Sequence, residues 1–179
     1  MMETRPEHAD ALLSLLGSRY DIELEELTIG GKPFSLHRVR DTNALLDTID
    51  PELPDADERL PYWAELWTAA PALAEWCMAS RYVPGASVLE LGCGLGLPGI
   101  AAATAGGRVT MTDYNEDALQ FARLNVLVNL HGEERANVVI AFLDWRAPFF
   151  RSRFDVILGA DIIYDRKQFP ALLGLFRIA

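Results

Sequence analysis

Cysteine is scarce in this chain of 179 residues: only Cys77 and Cys93 occur, and neither stands in a metal-binding or redox spacing. Two isolated cysteines read as reduced thiols rather than as a disulfide. Histidine offers no more, because His8, His37 and His131 are scattered and sit beside no nucleophile or ligand partner. No Ser-His-Asp arrangement and no metal cluster is expected, and the histidines read as structural or solvated. No apolar run is long enough to span a bilayer, and the N-terminus lacks a basic region followed by an apolar core. The cytoplasm is therefore the expected location. Basic charge is also short, with 16 Lys and Arg against 26 Asp and Glu, a net charge of −10. A field of that sign repels phosphate backbones, and no local basic patch offsets it, so nucleic acid is not an expected partner. It favours a cationic one, such as a lysine- or arginine-bearing protein or a small amine.

What is present is an ordinary globular composition, half hydrophobic and 23% charged, at a length that suits one core. Residues 1–59 read as an N-terminal extension. It has a helix over 9–16, two short strands joined at Gly30-Gly31, a short helix capped by Asp41 or Thr42, and an acidic, proline-punctuated loop over 50–58. From residue 60 the rhythm changes. Helices are expected over 67–78, 98–105, 115–129 and 167–176, and strands over 87–91, 108–112, 137–142 and 154–159. Such alternation predicts an α/β fold: a Rossmann-like, mostly parallel sheet with helices on both faces. The strands are apolar throughout, as expected of strands covered on both sides. The chain ends one helix after the fourth strand, which would leave that strand as a hydrophobic edge. C-terminal strands are thus expected to be missing from a core of residues 60–179.

The central motif is Glu90-x-Gly92-x-Gly94-x-Gly96, between a strand and a helix. Glycines there let the backbone approach a ligand and take dihedrals closed to other residues. The amides of the following helix start favour an anionic or polar group. Gly94-x-Gly96-x-x-Gly99 also satisfies the dinucleotide fingerprint, with Asp113 at the distance of a ribose-binding acid. Two residues separate the readings. A carboxylate at Glu90 suits the cationic amino-acid portion of S-adenosylmethionine and would repel a pyrophosphate. Asp113, at the end of the next strand, shares its crevice and can accept hydrogen bonds from both ribose hydroxyls; Tyr114 follows it at the same place. The third strand ends in Asp144-Trp145, a carboxylate and an indole suited to the amino group and ring face of adenine. After the fourth come Asp161 and Tyr164, spaced so that both can point at a reacting group beside the cofactor. Cys93 reads as a small filler with only its backbone near the ligand. Tyr62, Trp63 and Trp76 read as packing residues.

Residues 88–101, Thr112-Asp113, Asp144-Trp145 and above all Gly159-Ala160-Asp161-Ile162-Ile163-Tyr164 resemble the class I (seven-β-strand) methyltransferases. More narrowly they resemble the family 16 branch, which contains many protein lysine methyltransferases. Pro61-Tyr62-Trp63-Ala64-Glu65-Leu66-Trp67 is similar to the same branch, and the likeness runs over roughly 60–176. The resemblance implies an S-adenosylmethionine-dependent enzyme with cofactor contacts at Trp67, Gly92, Cys93, Gly94, Asp113, Trp145 and Ala160. It implies a substrate-side pair in Asp161 and Tyr164. The acceptor it suggests is a protein lysine; a small-molecule amine or other small nucleophile is the alternative. A dinucleotide-dependent oxidoreductase and an inactive binding domain stand further off. Methyl transfer is an in-line displacement, so the protein mainly aligns the reacting atoms and excludes water. Asp161 and Tyr164 are expected to hold a lysine nitrogen that has lost its proton.

Overall fold

The computed structural model describes residues 6–47, 52, 60–148 and 153–179. The expected acidic loop over 50–58 lies almost wholly outside them. The chain begins with helix α1 (Pro6–Gly17), strands β1 (Ile22–Ile29) and β2 (Lys32–Val39), and helix α2 (Thr42–Leu46). Of the two residues expected to cap α2, Asp41 does so, its side chain accepting the amides of Asn43 and Ala44. A 3₁₀ turn at Tyr62–Ala64 leads into α3 (Ala69–Ala79), β3 (Ser87–Leu91), α4 (Leu97–Thr104) and β4 (Arg108–Asp113). Then follow α5 (Glu116–Asn129), α6 (Gly132–Ala136), β5 (Val138–Phe142), β6 (Val156–Leu158), a second 3₁₀ turn at Arg166–Gln168 and α7 (Phe169–Phe176). Helix α6 was not anticipated, being one turn long and too short to show periodicity. Asn115 caps α5 as expected, and Glu116 and Asp117 stand in its first turn, where the helix dipole favours acids.

The main sheet is parallel, in the order β5-β4-β3-β6. The chain leaves β3 toward β4 and β5, then crosses back to place β6 on the other side of β3. That reversal opens a crevice at the carboxyl end of β3. Val88 of β3, Met111 of β4 and Leu158 of β6 share one core with Ala74 and Cys77 of α3, Ile100 of α4 and Ala122 of α5. Leu89 and Leu91 point the other way, into a cluster with Leu172 and Leu175 of α7. Helices thus lie on both faces, but unequally. On β5, Val139 and Phe142 are exposed, so this outer strand is not covered on both sides as its apolar sequence suggested. Strand β6 is the opposite outer strand, as expected.

The extension is not loosely attached. Strands β1 and β2 pair antiparallel from Ile22↔Val39 to Ile29↔Lys32, and Phe34 and Leu36 of β2 are buried in the main core. Leu16 of α1 and Val39 of β2 share a third cluster with Phe121 and Leu124 of α5. No helix among the described residues is long and apolar enough to cross a membrane.

Candidate active site

The crevice at the end of β3 is a cleft of about 270 Å³. Its lining includes Trp67, Glu90, Gly92, Cys93, Gly94, Gly96, Asp113, Tyr114, Asp144, Trp145, Ala160, Asp161 and Tyr164. Every residue expected to contact cofactor or acceptor therefore lies on one cavity, brought there by four strand ends and the segment before α3.

The glycine turn is held by its own bonds. The Cys93 amide donates to Thr112 O (2.9 Å) and the Gly96 amide to Cys93 O (2.7 Å). The Gly94 amide donates to Oδ2 of Asp113 at 3.0 Å. Gly94 and Gly96 both have left-handed backbone, at φ 50° and 86°. A Cβ on Gly94 would stand 3.0 Å from Trp63 O, and one on Gly96 would collide with Cε of Met111. The turn is thus a shaped wall more than a row of free donors. The Cys93 side chain is buried, as expected, and burial pushes its thiol well above its ordinary range.

The start of α4 differs from expectation. It was read as a donor site for an anion, yet Pro98 has no N–H and the Gly99 amide faces the Glu90 carboxyl. The positive end of this helix is met by an acid from its own core, which leaves little for a pyrophosphate. Glu90 lies on the α4 face of β3 at the floor of the cleft, and its side chain is 2% exposed. Burial raises its pKa from 4.5 to about 8, against the Gly99 amide that lowers it and with a further rise from Asp113. Its buried Oε2 has no hydrogen-bond partner.

Asp113 is also more committed than its sequence position suggested. Its two oxygens accept the amides of Gly94 (3.0 Å) and Asn115 (2.9 Å). Burial raises its pKa, opposed by those amides and that of Tyr114. Asp144 is bound by Arg146, whose Nη2 lies 2.9 Å from Oδ2, and this bond holds the carboxyl below its ordinary range. Trp145 lines the cleft and packs beside Ile162 on the α7 side of the sheet.

Ile162 organises the segment after β6. It is buried against Gly92 and Gly159, where a Cβ on either glycine would crowd it. With Ile162 pinned, Asp161 and Tyr164 emerge at the cleft mouth. Asp161 takes left-handed backbone at φ 52°, and its Oδ2 accepts the Ala69 amide at 3.1 Å. Tyr164 is exposed and meets Tyr62 edge to face, with centroids 5.3 Å apart. Tyr62 in turn meets Trp67 at 6.0 Å, and Nε1 of Trp67 donates to Tyr62 O at 2.8 Å. Partial burial, then Tyr62, raises the Tyr164 pKa, so its phenol stays protonated near neutrality. Two aromatics read as packing residues are not buried: Tyr62 is 39% exposed and lines the cleft, and Trp76 of α3 is 44% exposed. Trp63 does pack, between Tyr20 and Phe121. Of the neighbouring aromatics Tyr62 and Trp63, only position relative to the 3₁₀ turn separates the two, and one sequence does not reveal it.

Comparison with known proteins agrees with this architecture. The chain is 36% identical over 146 residues to protein N-lysine methyltransferase METTL21A of Xenopus tropicalis, covering 79% of this chain and 67% of that protein. It is 38% identical over 120 residues to EEF1A lysine methyltransferase 3 of Mus musculus, covering 66% of this chain and 51% of that protein. The match thus spans about half to two thirds of the length of these two relatives. Among solved structures it superposes on magnesium protoporphyrin IX methyltransferase of Synechocystis with bound S-adenosylmethionine. There the TM-score is 0.55 at 20% identity, over 78% of this chain and 67% of that one, which establishes the fold. The profile described as lysine methyltransferase matches residues 61–177, and the chain belongs to that family.

Proposed function

We propose that the chain is an S-adenosylmethionine-dependent N-methyltransferase acting on a lysine side chain of a protein. The observation that carries this reading is the junction of two surfaces: an acid-floored cleft under the glycine turn, and a mouth formed by Asp161, Tyr164 and Tyr62. The names of the relatives, protein N-lysine methyltransferases among them, support the acceptor class.

The cleft fits such a donor on two observations. Its floor holds a buried carboxyl with an unpartnered oxygen, the group that a cationic ligand would complement. Its wall is a turn whose glycines lie too close to Trp63 and Met111 to carry a Cβ, which fixes the shape of that wall. S-Adenosylmethionine supplies a methyl group carried on a cationic sulfur. In the proposed arrangement Glu90 complements positive charge, Asp113 accepts from hydroxyls, and Trp145 and Tyr114 flank the ring. Trp67, Gly92, Cys93, Gly94, Gly96, Asp144 and Ala160 complete the enclosure. A lysine amine, with an ordinary pKa of about 10.4, must shed its proton before it can attack. Asp161 and Tyr164 are proposed to orient that nitrogen, the carboxylate assisting proton departure. The exposed rings of Tyr62 and Tyr164 offer apolar faces to a methylene stem and π-faces to its cationic end.

Residues 60–179 are proposed as the methyltransferase core and 1–59 as its extension. The two cysteines are buried free thiols, which suits a reducing compartment such as the cytoplasm. The experiment is to incubate the protein and radiolabelled S-adenosylmethionine with a lysate, then hydrolyse the labelled material. Label in a protein band that yields methyl-lysine supports the reading. Label confined to small molecules transfers it to an amine acceptor, and no label with either overturns it.

A further inference from the structure

Helix α5 carries two asparagines one turn apart that treat β2 as a neighbouring strand would. Oδ1 of Asn129 accepts the Ser35 amide at 2.8 Å, and its Nδ2 donates to Ser35 O at 2.7 Å. Oδ1 of Asn125 accepts the His37 amide at 2.8 Å, and its Nδ2 donates to His37 O at 3.1 Å. A primary amide presents a donor and an acceptor side by side, as a peptide group does. Residues i and i+4 of a helix therefore meet residues j and j+2 of a strand edge. These bonds satisfy the β2 edge that β1 leaves open.

Asn125 does one thing that Asn129 does not. Its second Nδ2 hydrogen reaches Leu95 O at 3.0 Å. Leu95 stands between Gly94 and Gly96 in the turn that walls the cleft. Asn125 is 0% exposed, so no water can replace either bond. One side chain, outside the cleft, thus links the N-terminal hairpin to the cofactor turn.

We infer that Asn125 is a positioning residue for the glycine turn, through which docking of the β1–β2 hairpin sets the shape of the donor cleft. The inference rests on the reading of that cleft as a donor site. Coupling of this kind is reciprocal: a docked hairpin favours donor binding, and bound donor favours a docked hairpin.

The test compares Asn125→Leu with Asn129→Leu, which removes the matching pair of bonds to Ser35 but leaves the Asn125 links to His37 and Leu95 in place. S-Adenosylhomocysteine is the probe, its binding followed by calorimetry. Asn125→Leu is expected to weaken binding about tenfold and to raise the donor KM by a similar factor, with kcat at saturating donor changed less than about threefold. Asn129→Leu is expected to change binding less than about twofold. Amide exchange supplies a readout without ligand: Asn125→Leu should quicken exchange at Cys93 and Gly96, and Asn129→Leu should not. If Asn125→Leu fails to fold, Asn125→Asp serves, because it keeps the acceptor for His37 and removes both donors. In the unaltered chain, bound S-adenosylhomocysteine should slow exchange at the His37 amide. Equal behaviour of the two variants, or an unchanged His37 amide, overturns the inference. An unaltered chain that binds no S-adenosylhomocysteine overturns the proposed function instead, and the ligand-free exchange comparison then decides this inference alone.

Discussion

The carboxylate of Asp161 caps a helix to which it does not belong. Its Oδ2 accepts the Ala69 amide at 3.1 Å, while Thr68, which occupies the cap position of α3, makes no side-chain bond. Asp161 is also the one non-glycine residue with positive φ among the described residues. Left-handed backbone costs such a residue about 1–2 kcal/mol, and a cap bond returns a similar amount. The bond joins the segment after β6 to the segment that carries Tyr62 and Trp67, so both sides of the cleft mouth are set together. Asparagine tolerates left-handed backbone and keeps an oxygen acceptor, but it carries no charge. Asp161→Asn is therefore expected to unfold at nearly the wild-type denaturant midpoint and to lose about a hundredfold in turnover. Asp161→Ala should lose both turnover and about 1 kcal/mol of stability. Wild-type turnover in Asp161→Asn would reduce Asp161 to a helix cap.

Tyr62 has no hydrogen bond through its hydroxyl among the described contacts; its ring meets Tyr164 and Trp67, and its carbonyl accepts from Trp67. Tyr62→Phe is accordingly expected to be near neutral. Tyr62→Ala removes a face of the mouth and should raise the acceptor KM about tenfold, equivalent to a lost aromatic contact of about 1.4 kcal/mol. Donor affinity, measured separately by titration with S-adenosylhomocysteine, should stay within about twofold. A change in donor affinity as large as that in acceptor KM would place Tyr62 in the cofactor wall instead.

Gly96 separates a conformational role from a packing one. Its φ of 86° is one that residues with a side chain rarely adopt, and an added Cβ would strike Cε of Met111. Gly99 lies in regular helix, and its Cβ would meet the Glu90 carboxyl. Gly96→Ala is expected to cost about 2 kcal/mol or more in chemical denaturation, from strain and overpacking together. Gly99→Ala should instead displace Glu90 and weaken donor binding. A Gly99→Ala variant with unchanged affinity would show that Glu90 has no part in the site.

Much of the site was legible because strand ends in a parallel sheet converge by topology. Once 87–91 and 108–112 read as neighbouring strands, Glu90 and Asp113 had to reach one crevice. Side-chain commitments were not legible. That Asp144 is taken by Arg146, or that Asp161 caps α3 across 92 residues, depends on contacts no local pattern records. Burial of β5 was overestimated for a related reason. Its apolar run matches a two-sided strand, but β5 is the outer strand, and Val139 on the α7 side and Phe142 on the opposite face both stand in solvent. Asn125 and Asn129 read as polar positions in a helix, and only the docked hairpin shows why they are there.

Glu90 gives the sharpest pH dependence. Burial raises its pKa from 4.5 to about 8, with Asp113 adding to the rise. The folded chain then holds this proton more tightly than the unfolded one. Its contribution to stability is complete below pH 4.5 and declines as pH rises toward about 8, by at most about 1.4 kcal/mol per pH unit. Glu90→Gln keeps the shape and cannot ionise, so its stability should exceed that of the wild type at pH 8 and converge with it near pH 4. Denaturant titrations across that range decide the matter, and parallel curves for the two proteins would remove Glu90 as the source. The same proton bears on ligand binding. At pH 7 the free acid is mostly protonated, and a cationic ligand beside it favours the carboxylate, so binding should expel a proton. Calorimetry of S-adenosylmethionine binding in two buffers of different ionisation enthalpy should register that release in the wild type. In Glu90→Gln the release should vanish, and affinity should no longer climb between pH 6 and pH 8. A proton release that survives the substitution would assign it to another group, with Asp113 the neighbour next in line because burial raises its pKa as well.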